Sequence, residues 1–102
     1  MAQPESRLSR AIQSLIRARG GFCWKNHGGS TMMNGLPDIA GVFRGLMIAV
    51  ETKMPEGGNP TPIQLHRHRQ IRDAGGHVLV ARSVADVAAW LDRLASHTTP
   101  DA

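Results

Sequence analysis

The apolar positions of this chain follow two spacings, one typical of helices and the other typical of strands. Over residues 4–19 they recur every three or four residues, which predicts an amphipathic helix. Short apolar runs predict strands at 22–25 and 77–81, and on both sides of Arg44-Gly45. One further helical pattern precedes the last strand and another follows it. The predicted order is therefore helix, three strands, helix, strand and helix.

The last two helices have clear start signals. Thr61 is a suitable N-cap, Pro62 suits the first helical position, and Gln64 occupies the reciprocal position of a capping box. Ser83 with Asp86 forms a similar signature before the final helix. A hairpin is antiparallel, and a strand that follows a crossover helix is normally parallel to its neighbour. We therefore expect one small α/β domain with a mixed β-sheet flanked by helices.

The predicted hairpin brings charged residues together at its open end. If Arg44 and Gly45 form the turn, Asp38 lies opposite Glu51, with their Cβ atoms roughly 4.5–5.5 Å apart. Side chains alternate along a strand, so Lys53 shares the face of Glu51 while Thr52 points away. Opposed carboxylates repel unless a cation compensates, and a divalent metal with oxygen ligands would do so.

Several short motifs of this chain together resemble one family. Pro37-Asp38 and Glu51-Thr52-Lys53 are similar to the two elements that define the PD-(D/E)XK nuclease superfamily. Three later features resemble its VRR-NUC branch: the loop at Gly57-Gly58, Gln64 at a helix start, and the strand at 75–80. The similarity extends from residue 5 to about residue 90. It implies an αβββαβ nuclease core followed by a C-terminal helix.

The resemblance implies a metal-dependent endonuclease that hydrolyses DNA phosphodiester bonds. Asp38, Glu51 and the backbone carbonyl of Thr52 would hold Mg²⁺ or Mn²⁺. Lys53 would orient the attacking water and stabilise the charge that develops on the phosphate. The competing interpretations are a noncatalytic module of the same fold that binds DNA or a partner, and an accidental ion pair at the hairpin end.

Two further site candidates each have a structural alternative. Glu5 falls on the apolar stripe of the first helix, where the resembled superfamily carries an acidic residue that reaches the metal, here through a water. The alternative is a first-turn glutamate that faces solvent and is stabilised by the helix dipole. Gln64 would reach the metal-bound phosphate or water in the resembled family, and the alternative is the capping box.

Charge points to a polyanionic partner. The formal net charge is +4, with a sequence pI near 10.6. Basic residues that can neutralise DNA phosphates cluster on the first helix and crowd the second, although a solvated helix face is the alternative. His66 and His68 are two residues apart and share no helix face, which disfavours a zinc pair. The DNA-binding candidates are Lys25, Arg67, Arg69 and Arg72.

The length of 102 residues allows one modest core, which we assign to residues 1–95, with a disordered tail at 96–102. No apolar run is long enough to cross a bilayer, and the single Cys23 suits a reducing compartment. We therefore expect an intracellular protein, and the resemblance implies the cytoplasm of a bacterial or virus-infected host cell. The resemblance also implies a homodimer acting on branched DNA such as four-way junctions, because a twofold dimer matches a twofold junction.

Overall fold

The structure is a computed structural model, and it describes residues 4–27 and 33–98. Three helices and four strands follow one another in the predicted order, which is confirmed. Their bounds are α1 (Pro4–Ala18), β1 (Phe22–Lys25), β2 (Ile39–Phe43), β3 (Leu46–Thr52), α2 (Pro62–Asp73), β4 (His77–Ala81) and α3 (Val84–Ser96).

The four strands form one mixed sheet in the order β1-β2-β3-β4. The first two neighbouring pairs are antiparallel, and β3 runs parallel to β4. Helix α2 is the crossover between those parallel strands, as the sequence pattern predicted. The predicted α/β class with a mixed sheet flanked by helices is therefore confirmed.

The register of the β2–β3 hairpin is the one that the sequence predicted. Phe43 pairs with Leu46, and the pairing continues to Ile39 opposite Val50. The two turn residues have positive φ, 52° at Arg44 and 81° at Gly45, as a tight primed hairpin turn requires. One more step outward along the register leads to Asp38 and Glu51.

One face of the sheet forms the core of the domain. Alternate residues of the four strands point to this face, where α1 and α3 cover them. Trp90 of α3 is buried there and belongs to the core. The buried aliphatic residues on this side include Ile12, Ile16, Ile39, Ile48, Val50, Val87 and Leu91.

The opposite face is covered only in part. Helix α2 contacts β4, at one edge of the sheet. Four large apolar side chains of β1, β2 and β3 remain exposed on this side, and Val42 pairs with both of its neighbours across the strands. We call these four residues the open sheet face: Phe22 (66% exposed), Trp24 (44%), Val42 (45%) and Met47 (42%).

The structure describes part of the predicted tail at 96–102. Ser96 is the last residue of α3, and the Thr98 hydroxyl accepts a hydrogen bond from Arg44 Nε at 2.7 Å. Residues 99–102 lie outside the described residues, so their predicted disorder stays a prediction. None of the helices in the described ranges is long and apolar enough to cross a membrane.

Candidate active site

Asp38 is anchored to the end of β3. Its backbone carbonyl accepts a hydrogen bond from Asn26 N at 2.7 Å, which extends the β1–β2 pairing by one residue. Its Oδ2 accepts two more, from Thr52 N at 2.8 Å and from Thr52 Oγ1 at 2.5 Å. The expectation that Thr52 would point away from the site was therefore wrong for its hydroxyl. Asp38 precedes the first residue of β2, so strand alternation does not fix the direction of its carboxylate.

Glu51 carries the strongest electrostatic perturbation of the site. Its side chain is 2% exposed, and the pKa of its carboxyl is raised to about 8, chiefly by burial. The negative charge of Asp38 and a hydrogen bond between the two carboxyls contribute to this rise, whereas the Lys53 charge opposes it. These interactions show that the hairpin brings Asp38, Glu51 and Lys53 together, as its register predicted.

The paired carboxyls define which cation the site would accept. Within residues 4–27 and 33–98, no three His, Cys, Asp or Glu side chains are grouped to hold a metal. The donors that the sequence predicts are the two carboxylates and the backbone carbonyl of Thr52. A hard cation such as Mg²⁺ or Mn²⁺ prefers oxygen ligands and retains several waters, so a small protein donor set suffices. A cation here would also relieve the repulsion that raises the pKa of Glu51, so these residues fit such a metal.

The loop after Lys53 is held by one arginine. Lys53 is half-buried, and its backbone N donates to Ala81 O at 2.9 Å. Arg82, the next residue after β4, donates four hydrogen bonds of 2.8–3.3 Å into the loop. The acceptors are the carbonyls of Met54, Gly57 and Gly58 and the side chain of Asn59.

Glu5 lies beside the carboxyl pair but is not buried, which corrects the sequence interpretation. It is four residues before the buried Ser9, so it follows the line of the helix stripe. At this end of α1, however, the stripe faces an open cavity of about 380 Å³ rather than the sheet. The Glu5 charge contributes to raising the pKa of Glu51, so the glutamate is close enough to act electrostatically on the site. Its predicted contact with the metal through a water stays a prediction.

Gln64 adopts the capping alternative. Its side-chain Oε1 accepts from Thr61 N at 2.9 Å, and its backbone N donates to Thr61 Oγ1 at 3.3 Å. This reciprocal pair is the capping box that the sequence predicted. The Gln64 amide oxygen is thus engaged in the cap, and the predicted catalytic role of Gln64 stays a prediction.

The basic candidates differ in their contacts. Arg67 Nε donates to Asn34 O at 2.8 Å, and Arg72 donates to Val78 O at 3.0 Å, so both tie backbone segments together. Arg69 is exposed on the same helix. Lys25 Nζ donates to the buried Ser9 Oγ at 3.2 Å and lines the cavity beside Glu5.

His68 is the residue that sequence reasoning missed. Its Nε2 lies 3.5 Å from Glu51 Oε1, and both side chains are almost fully buried. Burial, with the charges of Arg72 and Lys53, lowers the pKa of His68 and favours the neutral imidazole. One sequence feature could have identified His68 as a site residue, because it lies one helical turn after Gln64 and so on the same face of α2.

Comparisons with known proteins support the resemblance. A solved structure described as a "VRR_NUC domain" matches this chain with a TM-score of 0.72 and 29% sequence identity. The match covers 96% of this chain and 100% of that chain. No protein-family model and no curated protein matches. The chain therefore has a VRR-NUC nuclease-like fold, which indicates a nuclease-type domain.

Proposed function

We propose that this protein is a metal-dependent endonuclease that hydrolyses DNA phosphodiester bonds, using Mg²⁺ or Mn²⁺. The observation that carries the proposal is the adjacent carboxyl pair of Asp38 and the buried Glu51, with Lys53 beside it. Burying two carboxylates side by side costs free energy, and such pairs with strongly shifted pKa values cluster at functional sites of proteins. The nuclease-like fold and the resemblance of Pro37-Asp38 and Glu51-Thr52-Lys53 to the two nuclease motifs support the same proposal.

Each site residue has a distinct task in the proposed reaction. Asp38 and Glu51, with the carbonyl of Thr52, would hold the cation, which supplies charge neutralisation and acidifies a bound water. The two hydrogen bonds from Thr52 fix the carboxylate of Asp38. Lys53 orients the water and stabilises the negative charge that grows on the phosphate oxygens. The water oxygen forms a bond to phosphorus, one P–O ester bond breaks, and the leaving oxygen gains a proton.

The basic surface supports DNA as the substrate. Lys25 lies beside Glu5 in the cavity next to the site, and Arg69 is exposed on α2. Both can neutralise phosphates without losing a backbone contact. Arg67 and Arg72 already hold carbonyl groups, so they would contact DNA only with their remaining N–H groups.

The open sheet face supports a homodimer, and a second copy of this chain is the occupant that we propose for it. The four residues Phe22, Trp24, Val42 and Met47 carry no charge. Monomers seldom expose large contiguous apolar patches, whereas a stable interface needs about 800 Å² per partner around an apolar centre. A twofold dimer would present two sites to the two strands of a symmetric branched DNA, which favours four-way junctions as substrates.

Cleavage of labelled linear duplex, flap and four-way DNA tests the enzyme and its substrate together. We expect Mn²⁺-dependent cleavage that EDTA stops, with the four-way substrate cut fastest and symmetrically on opposed strands. Asp38→Asn should abolish this activity, and Glu56→Gln, in the exposed loop, is the matched control. DNA binding without cleavage at any metal concentration would support the binding module and refute the nuclease.

Light scattering tests the dimer at micromolar concentration. We expect the mass of a dimer for the wild type and of a monomer for Met47→Glu. Because a partner subunit stabilises the folded state, melting of the wild type should depend on protein concentration, whereas melting of Met47→Glu should not. A monomeric wild type that cuts linear duplex as readily as junctions would refute both the dimer and the junction preference, but not the nuclease chemistry.

A further inference from the structure

Helix α2 buries an unusual side chain. Of its twelve residues, only His68 is fully buried, although the helix also carries Ile63, Leu65 and Ile71. A helix that covers a sheet normally buries an aliphatic stripe. Here Ile63 and Leu65 are 41% and 48% exposed, and an imidazole occupies the buried position. The one fully buried contact that α2 makes with the rest of the domain is therefore made by a polar side chain.

That contact is made with Glu51. The His68 Nε2 and Glu51 Oε1 atoms are 3.5 Å apart, and the two side chains are 1% and 2% exposed. The contact with His68 uses only Oε1 of the carboxyl, and the same carboxyl also hydrogen-bonds with Asp38. Within the described residues no buried side-chain nitrogen or oxygen lacks a partner, so this contact belongs to a satisfied polar network.

We propose that His68 is a positioning residue that fixes the carboxylate of Glu51 for the divalent cation. The inference rests on the proposed function, because it assigns His68 a task within the same metal site. Groups that hydrogen-bond to a metal ligand restrict its rotation, and their loss commonly weakens metal affinity 10–100-fold. Asp38 receives the equivalent support from Thr52. Each carboxylate of the pair thus has its own hydrogen-bonding partner.

The test compares Mn²⁺ binding by calorimetry in four variants. His68→Leu fills the space without a donor, whereas His68→Gln places an amide N–H near the position of Nε2. His68→Asn carries the same amide on a shorter side chain that does not reach Glu51. His66→Leu changes an exposed histidine of the same helix and is the matched control.

We expect His68→Leu and His68→Asn to weaken Mn²⁺ affinity roughly 10–100-fold. His68→Gln and His66→Leu should remain within a few-fold of the wild type. Melting in EDTA reports the packing contribution separately, and if His68→Leu does not fold, the Gln and Asn pair decides. Wild-type affinity in His68→Asn, or equal weakening by Gln and Asn, would overturn the positioning role. A wild type that binds no Mn²⁺ would instead refute the metal site itself.

Discussion

One face of the sheet is filled with aliphatic side chains beneath α1 and α3, whereas the other carries a carboxyl, a histidine and exposed aromatic rings. Adjacent residues of β3 sample both environments, since Ile48 is 1% exposed and Met47 is 42% exposed. Nearly all the buried apolar residues of the domain lie on the first face. Stability is therefore concentrated on one side, which allows the other side to keep polar groups that a core would exclude.

The largest expected effect is on stability, and it is seen when Ile48 and its neighbour Met47 are each replaced by alanine. Ile48→Ala leaves a cavity under the helices and should lower the free energy of unfolding by about 2–5 kcal/mol. Met47→Ala, on the open sheet face, should lower the free energy of unfolding of the monomer by less than about 1 kcal/mol, because 42% of Met47 is exposed to solvent. Urea unfolding of both variants measures the difference. Equal losses would contradict the division between the faces.

The second effect is on catalysis. Lys53→Ala should reduce the rate of cleavage about 10²–10³-fold, because it removes a charge that acts on the transition state. DNA affinity should change little, since the proposed task of Lys53 lies in the reaction rather than in binding. Single-turnover cleavage and a binding titration separate the two quantities. A variant that cleaves at the wild-type rate would exclude Lys53 from the mechanism.

The third effect is a pH dependence of the metal-free protein. The pKa of Glu51 rises from its ordinary 4.5 to about 8 on folding, so the folded state holds a proton that the unfolded state releases. The free energy of unfolding must therefore fall as the pH rises through this range. The lowered pKa of His68 has the opposite effect, but only below its ordinary 6.5. Between pH 6.5 and pH 8 the contribution of Glu51 amounts to about 2 kcal/mol.

Urea unfolding in EDTA at pH 6.5 and pH 8 measures this loss. Glu51→Gln is the matched control, because it keeps the shape of the side chain and removes the titrating proton. The variant should lose much less stability over this range than the wild type. An equally steep loss in the variant would assign the pH dependence to other groups.

The smallest effect concerns DNA affinity. Arg69→Ala should reduce the slope of log affinity against log salt by roughly one, because one phosphate contact is lost. Arg93, in the last turn of α3 on the opposite side of the sheet, is the matched control, and its replacement should leave the slope unchanged. Equal slopes for both variants would place the DNA elsewhere on the surface.

Local patterns were sufficient to predict the elements and the hairpin. The Arg44-Gly45 turn determines the register of β2 and β3, and the register alone predicts that Asp38 and Glu51 meet. The capping box at Thr61 and Gln64 is equally local, because its partners are three residues apart. These predictions succeeded because each depends on contacts between residues that are close in sequence or joined by a short turn.

The contacts that the sequence did not predict are made between separate elements. His68 reaches Glu51 because of how α2 is positioned and rotated about its axis relative to the sheet. Helical periodicity in the sequence does not predict that position. Arg67 and Arg72 bind backbone carbonyls for the same reason. Glu5 is exposed although it follows the apolar stripe of α1, because periodicity gives the direction of a side chain but not where the covering sheet ends.

The four hydrogen bonds from Arg82 also affect how the protein would meet a substrate. They order the loop of residues 54–59 during folding, so the conformational entropy of that loop is already lost before any nucleic acid arrives. A flexible loop would have to lose this entropy at the moment of binding, which weakens affinity. Lys53 is continuous with the ordered segment and is therefore presented in a preorganised position. Arg82 takes no part in the proposed reaction, but its side chain thus lowers the entropy that binding a substrate would cost.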